Sequence, residues 1–329
     1  MRGCIVSINF YKVRDKKFIM FDAKAFVEKS LEEIKSIAKN NKVVSACSGG
    51  VDSTTVTALV HKAIGENLLA VFIDDGLRRE GEPEFVVNTL KNLGINLRVV
   101  DVKEELFATL KGKTDAEEKR KAFRDKFYKT LGRVLKEEGI KYLAQGTIAP
   151  DIKETVEGIK TQHNVLEQIG IDPETYGYNI IEPLKELYKP EVRMVARELG
   201  LPKEISERMP FPGPALSIRV LGEVTPEKID ILKKATKIVE EETKGIEAFQ
   251  RFAVLHSDKA TGIKQGKRLY GNIITVRVVK SRDAITAKAT KIPYEVLDKI
   301  SKRITEEIPS VVRCLYDVTD KPPATIEFE

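Results

Sequence analysis

The 329 residues carry 56 Lys+Arg against 50 Asp+Glu, a net charge of +6 spread along the chain, with 42% hydrophobic residues. Such a chain is long enough for two domains with their own cores, and its mild basicity suits anionic small molecules without demanding nucleic acid. No apolar run approaches the roughly 18 residues of a membrane span, and Cys4, Cys47 and Cys314 form no C-x-x-C pair, so neither a disulfide framework nor a zinc or iron–sulfur site is expected. A reducing cytoplasm is the simple setting.

Residues 1–20 read as an N-terminal extension, disordered or a mis-annotated start, with a short apolar run at Cys4–Ile8 that is too small for a signal sequence. Asp22 can cap a helix reaching about Asn40, in which Val27, Leu31, Ile34 and Ala38 recur at helical spacing. Lys42–Cys47 is a short apolar run rich in β-branched residues, as in a buried parallel strand. It runs into Ser48-Gly49-Gly50-Val51-Asp52-Ser53, and a helix then extends to about Gly65. Gly49 and Gly50 are expected to allow positive φ and to leave no Cβ between main chain and anion, while the helix N-terminus adds unpaired N–H groups and its dipole. Asp52 in such a cradle would repel phosphate unless a divalent cation stood between them, which points to Mg²⁺ shared with a nucleotide and to Asp52 as a metal ligand. The lysine of a Walker loop is absent, which argues against ordinary γ-phosphate cleavage.

Leu68–Ile73 reads as a second strand whose main chain near Ile73 can meet an adenine edge. Pro83–Leu93 reads as a helix, Asn96–Asp101 as a third strand, and Ala116–Glu138 as a long charged helix with a core-facing stripe of Phe123, Phe127, Leu131 and Leu135. Tyr142–Gly146 is a fourth strand. Thr147–Val165 mixes acids, bases and glycines with weak periodicity and reads as an active-site lid. Asp151 and Glu154 are candidates to complete a metal shell or orient a nucleophile, and Lys160 to neutralise developing charge. Asn179–Glu182 and a helix from Lys189 to Gly200 complete a doubly wound parallel α/β domain over 21–207.

Arg208-Met209-Pro210-Phe211-Pro212-Gly213-Pro214 is too rich in proline for helix or inner strand and marks a rigid loop and a boundary. Residues 208–329 then read as a smaller α+β domain. Its expected elements are a helix at Pro226–Lys244, strands at Arg251–His256 and Ile273–Lys280, a helix at Tyr294–Glu307, and strands at Val311–Tyr316 and Ala324–Phe328. In the tail, Lys321 and Thr325 can hold a phosphate and Glu327 can accept from sugar hydroxyls.

The loop Ser48–Ser53 resembles the pyrophosphate loop of the N-type ATP pyrophosphatases, which share an adenine nucleotide alpha hydrolase-like fold. With the Pro210–Pro214 loop, the following Leu221-Gly222-Glu223-Val224 and the Lys321–Glu329 tail, residues 21–329 resemble the ATP-pyrophosphatase subunits of archaeal-type GMP synthetases. The resemblance implies ATP-dependent adenylation of XMP and amination by ammonia, with release of AMP and pyrophosphate. It assigns Ser48, Gly49, Gly50, Val51, Asp52 and Ser53 to pyrophosphate, and Asp151, Glu154, Lys160, Thr161 and His163 to catalysis. Arg208, Pro210, Phe211, Pro212, Gly213, Lys321, Thr325, Ile326 and Glu327 go to XMP. It further implies a separate glutaminase partner chain and a homodimer through the C-terminal domain. Gln162 stands where the family usually has a second histidine, Lys153 replaces an apolar residue, Leu166-Glu167-Gln168 replaces a Gly-Gly turn, and Ala215 replaces a glycine. Two alternatives accompany this reading: a relative that adenylates another acceptor, and a nucleotide-binding homologue with impaired turnover.

Overall fold

The computed structural model describes residues 21–156, 179–282 and 284–329. The extension 1–20 and Lys160, Thr161, Gln162, His163 and the Leu166–Gln168 segment of the expected lid region lie outside the described residues.

Five parallel strands form the first sheet: β1 (Val43–Ala46), β2 (Leu68–Asp74), β3 (Leu97–Asp101), β4 (Tyr142–Ala144) and β5 (Asn179–Ile181), in the order β3-β2-β1-β4-β5. Alternate residues face opposite sides, so each strand feeds two cores. Val43, Ala70 and Phe72 pack with helices α1 (Ala23–Ala38), α2 (Val51–Ile64), α3 (Glu82–Asn92) and α7 (Lys189–Glu198). Val44, Val71, Ile73 and Leu143 meet Tyr128, Leu131, Val134 and Leu135 of α5 (Ala116–Glu138). Two further short helices, α4 (Lys103–Leu110) and α6 (Ala149–Val156), follow β3 and β4, and α8 (Lys203–Ser206) follows α7. The expected helices and strands of this half are present, with α1 capped by Asp22, whose carboxylate accepts the Ala25 N–H at 3.0 Å.

Beyond the proline-rich segment come α9 (Pro226–Glu242), β6 (Gln250–Lys264), β7 (Lys267–Lys280), β8 (Lys288–Ala289), α10 (Tyr294–Glu307) and β9 (Val311–Tyr316). β7 is central: it pairs antiparallel with β6 and β8 and parallel with β9. The expected strands Arg251–His256 and Ile273–Lys280 are the buried halves of a longer hairpin. Its outer half lacks an apolar signal because that part leaves the core, with Ile263 76% and Tyr270 68% exposed. Gln265 and Gly266 close it with φ of 51° and 71°, the two positive values a two-residue type I′ turn needs.

Two expectations change. The tail Ala324–Phe328 forms no strand: Ala324 N–H turns back to Asp320 O at 3.0 Å, and side chains rather than a ladder hold the segment. The stripe on α5 is split between two cores. Phe123 joins Leu77, Leu106, Leu110 and Ala122 against Leu216, Val220, Leu232 and Leu255, while Leu131 and Leu135 serve the parallel sheet. The first half of α5 is therefore shared with the C-terminal half of the chain.

Candidate active site

The strand order reverses between β1 and β4, and in an open parallel sheet ligands sit outside the carboxyl ends of the strands at such a point. The loop from Cys47 to Gly50 leaves β1 there. Cys47 itself is buried and its N–H bonds to Val71 O at 2.9 Å, as expected of a small apolar residue ending the strand. Ser53 closes the loop on itself: its hydroxyl lies 3.2 Å from the Ser48 N–H, 3.1 Å from the Ser48 hydroxyl and 3.3 Å from Gly50 O. Gly49 has the expected positive φ, 79°. Gly50 does not; with φ −69° and ψ 157° it is the extended N-cap residue of α2, and no side chain caps the helix, which leaves its first N–H groups for an anion.

Because Val71 bonds toward β1 and Asp74 O accepts from Val102 of the β3 side, Ile73 shares the orientation of Val71 but lies beyond the last rung of the β1–β2 ladder. Its main chain therefore points past the end of β1. Asp74 and Asp75 are occupied locally. Asp74 accepts the Gly76 N–H and pairs with Lys103 at 2.7 Å, while Asp75 accepts the Leu77 N–H and pairs with Arg78 at 2.8 Å.

Asp52 sits in the first turn of α2. One carboxylate oxygen is 2.5 Å from Lys189 Nζ at the start of α7; the other is buried without a partner. An orphaned anionic oxygen beside free helix N–H groups fits a hard divalent cation shared with phosphate oxygens. Among the described residues no group of three His, Cys, Asp or Glu side chains could hold a metal.

Asp151 and Glu154 fall on α6, a helix rather than an open loop. Asp151 reaches back to the Ile148 N–H at 3.0 Å, capping the helix it belongs to. Glu182, at the end of β5, accepts from the Thr147 hydroxyl. Burial pushes the nearby Tyr128 hydroxyl up to about 12; Arg124 opposes the shift, and Glu182 and Asp151 add to it.

The proline-rich loop meets the phosphate loop directly. Arg208 donates from Nη1 to Gly49 O at 2.7 Å and from Nη2 to Glu82 at 2.8 Å. Two guanidiniums lie over the Phe211 ring, Arg79 at 4.2 Å and Arg219 at 5.2 Å from its centre. Pro210 O takes the Gln250 amide at 3.0 Å, and Pro212 O takes the Ala215 N–H at 3.0 Å, across Gly213. Ala215 adopts φ 54°, a left-handed conformation that favours glycine.

The tail is held by buried cations. Arg219, 1% exposed, grips Glu327 through Nε at 2.9 Å and Nη2 at 2.7 Å, with Gln250 adding a donor at 3.3 Å. Arg277 reaches Asp317 at 2.9 Å, Thr319 O at 2.5 Å and Thr325 O at 2.9 Å. Lys119 of α5 bonds Val220 O at 2.7 Å and Glu329 at 2.5 Å. Burial pulls the Lys119 ammonium down, and Glu329 opposes that shift. Ile326 packs with Phe252 and Val254, Lys321 Nζ donates to Ala284 O at 2.8 Å, and the Thr325 hydroxyl donates to Glu327 O.

With this geometry in view, comparison with known proteins is decisive. The NAD synthase family pattern matches residues 20–215 and that of the GMP synthase C terminal domain matches 236–328. The B subunit of the glutamine-hydrolyzing GMP synthase of Methanopyrus kandleri is 52% identical over 318 residues, covering 94% of this chain and 100% of its own. The same-named proteins of Archaeoglobus fulgidus, at 54% identity, and Pyrococcus furiosus, at 52%, cover 94% and 92% of this chain and 100% and 97% of their own length. The chain belongs to this family of GMP synthase B subunits.

Three residues that contact the loop and its helix or hold the tail escape a reading of the sequence. Lys189 reads only as a helix opener, and a lysine just before proline in the first turn of the helix after β5 is the available signal. Gly146 brings the end of β4 against α2 so closely that a Cβ would sit 3.0 Å from Ser53 N and 3.2 Å from the Asp52 carbonyl carbon. Arg219 carries no signal beyond its place after the proline-rich loop.

Proposed function

We propose that this protein makes GMP by ATP-dependent amination of XMP. The C2 oxygen of XMP attacks the α-phosphorus of ATP, pyrophosphate leaves, and ammonia then displaces AMP to give GMP. The observation that carries the reading is contiguity. The phosphate loop touches Arg208, the proline-rich segment leads from Arg208 through Phe211 to Arg219, and Arg219 holds the tail at Glu327. Three stretches far apart in sequence are thus linked by direct contacts, which supports reading them as one site that joins a nucleotide loop to an acceptor platform.

Each part has a task. Ser48–Ser53 and the open N-terminus of α2 receive the departing pyrophosphate, whose growing charge is met by N–H donors already in place. Ile73 offers main-chain groups to adenine. Mg²⁺ would be held by Asp52 together with phosphate oxygens and would neutralise charge on the pyrophosphate. Glu327, oriented by Arg219 and Gln250, and Phe211, Pro210, Pro212, Gly213, Lys321, Thr325 and Ile326 around it, form the acceptor side. Asp151, Glu154, Lys160, Thr161 and His163 are assigned to closing over the reactants and excluding water, which would otherwise hydrolyse the adenylyl intermediate. Ammonia arrives from a separate glutaminase chain or from solution. Two copies associate through the C-terminal half.

The test is pyrophosphate release from ATP with and without XMP and ammonium, with the product identified by chromatography. Release that needs both and yields GMP is expected, and glutamine should not replace ammonium for the purified chain. Release indifferent to XMP, or a product other than GMP, would overturn the assignment.

A further inference from the structure

Arg208, expected from sequence to touch the acceptor, spends its guanidinium elsewhere. Nη1 lies on Gly49 O and Nη2 on Glu82, and both side chains are withdrawn from water, at 14% and 4% exposure. The Arg208 backbone is fixed as well, since Arg193 Nη2 donates to its carbonyl at 2.8 Å. Glu82, in the first turn of α3, also accepts the Arg79 N–H at 3.3 Å, and Arg79 continues to Glu240 of α9 at 2.8 Å.

In a trans peptide C=O and N–H point in opposite directions. A guanidinium that takes Gly49 O therefore fixes the Gly50 N–H on the opposite side of that peptide, away from Arg208. Among the described residues no acceptor takes that N–H. Gly49 cannot relax into another arrangement with a side chain: a Cβ there would lie 2.4 Å from Val86 Cγ2 and 3.2 Å from Arg208 Nη1. We infer that Arg208 is a positioning residue for ATP rather than a ligand of XMP, that it sets the Gly49–Gly50 peptide so that Gly50 N–H meets phosphate, and that Glu82 aligns it. The inference deepens the proposed function and rests on its assignment of the loop to ATP.

The full chain and its Arg208→Met, Arg208→Lys and Glu82→Gln variants should be titrated with a non-hydrolysable α,β-methylene ATP analogue and magnesium, without XMP, and assayed for the KM of each substrate. Arg208→Met is expected to weaken analogue binding about tenfold, the order of one charge-assisted hydrogen bond, while the KM for XMP changes less than twofold. Glu82→Gln should shift in the same direction by less. Arg208→Lys should recover part of the loss, because one ammonium can serve Gly49 O or Glu82 without the planar fork that serves both; it also gives the comparison if the methionine variant fails to fold. A raised KM for XMP with intact analogue binding, or a lowered melting temperature with neither KM moved, overturns the inference. If the parent chain binds the analogue and the variants bind it weakly, yet no GMP is formed, the inference stands and the proposed acceptor falls.

Discussion

Replacing Lys119 by methionine tests how the tail is held. The side chain is fully buried, and its ammonium joins Val220 O to Glu329, tying α5 to both the segment after the proline-rich loop and the tail. Removing one member of a buried pair costs about 3–5 kcal/mol, because the partner is left without compensation. Glu329 is 14% exposed and can regain some water, so the lower end, about 3 kcal/mol, is expected. For a domain of this size that lowers the thermal midpoint by about 6–12 °C. Glu329→Gln keeps an acceptor for the ammonium and should cost less, about 1–2 kcal/mol, and the double variant should fall short of the sum because the pair is shared. Urea titration gives the free energies, and limited proteolysis reports release of residues 320–329. A Lys119→Met chain within about 0.5 kcal/mol of the parent, with its tail equally protected, would refute the reasoning.

Other outcomes follow from the same geometry. Asp52→Asn should reduce pyrophosphate release at least about 100-fold by removing the anionic oxygen proposed to hold magnesium, while changing stability by under about 1 kcal/mol because the Lys189 pair is partly exposed; near-normal turnover in a release assay would exclude Asp52 as the metal anchor. Gly146→Ala should cost about 1–3 kcal/mol and slow turnover, since its Cβ meets the main chain of Ser53 and Asp52 rather than a movable side chain; an unchanged melting curve and rate would contradict the close approach. His256, 2.7 Å from the Thr275 hydroxyl and edge-on to Phe328 of the tail, is pulled below its usual value by burial, with Asp258 opposing. The folded state therefore takes up its proton less readily, so this contribution is complete above about pH 6.5 and is lost as pH falls from there through the folded value. His256→Gln should flatten that part of the stability–pH curve measured by calorimetry; an unaltered slope would count against it.

Much of the architecture is legible in the sequence because it rests on local pattern. The parallel strands, the helices between them and the phosphate loop come from apolar period, caps and glycine placement within windows of a few residues. Gly50 shows the limit of that reasoning: as an N-cap it needs extended backbone, and only Gly49 takes the positive φ expected of both. The tail shows another. Its Thr-Ile-Glu-Phe alternation resembles a strand, but Arg219 and Arg277 take the polar groups and the ladder is never formed.

By itself, then, the sequence determined a glycine-bearing loop with an acidic residue in the wrong place for bare phosphate, a doubly wound sheet to carry it, and a stiff proline-rich segment after that sheet. Only the tertiary structure decided how those parts are joined. Lys189 reaches Asp52 across 137 residues, Arg208 reaches Gly49 across 159, and Lys119 reaches Glu329 across 210. Each partner is an ordinary charged residue in its local window. Its role is fixed by burial and by which opposite charge or carbonyl the fold brings within hydrogen-bonding distance, and neither is written in spacing along the chain.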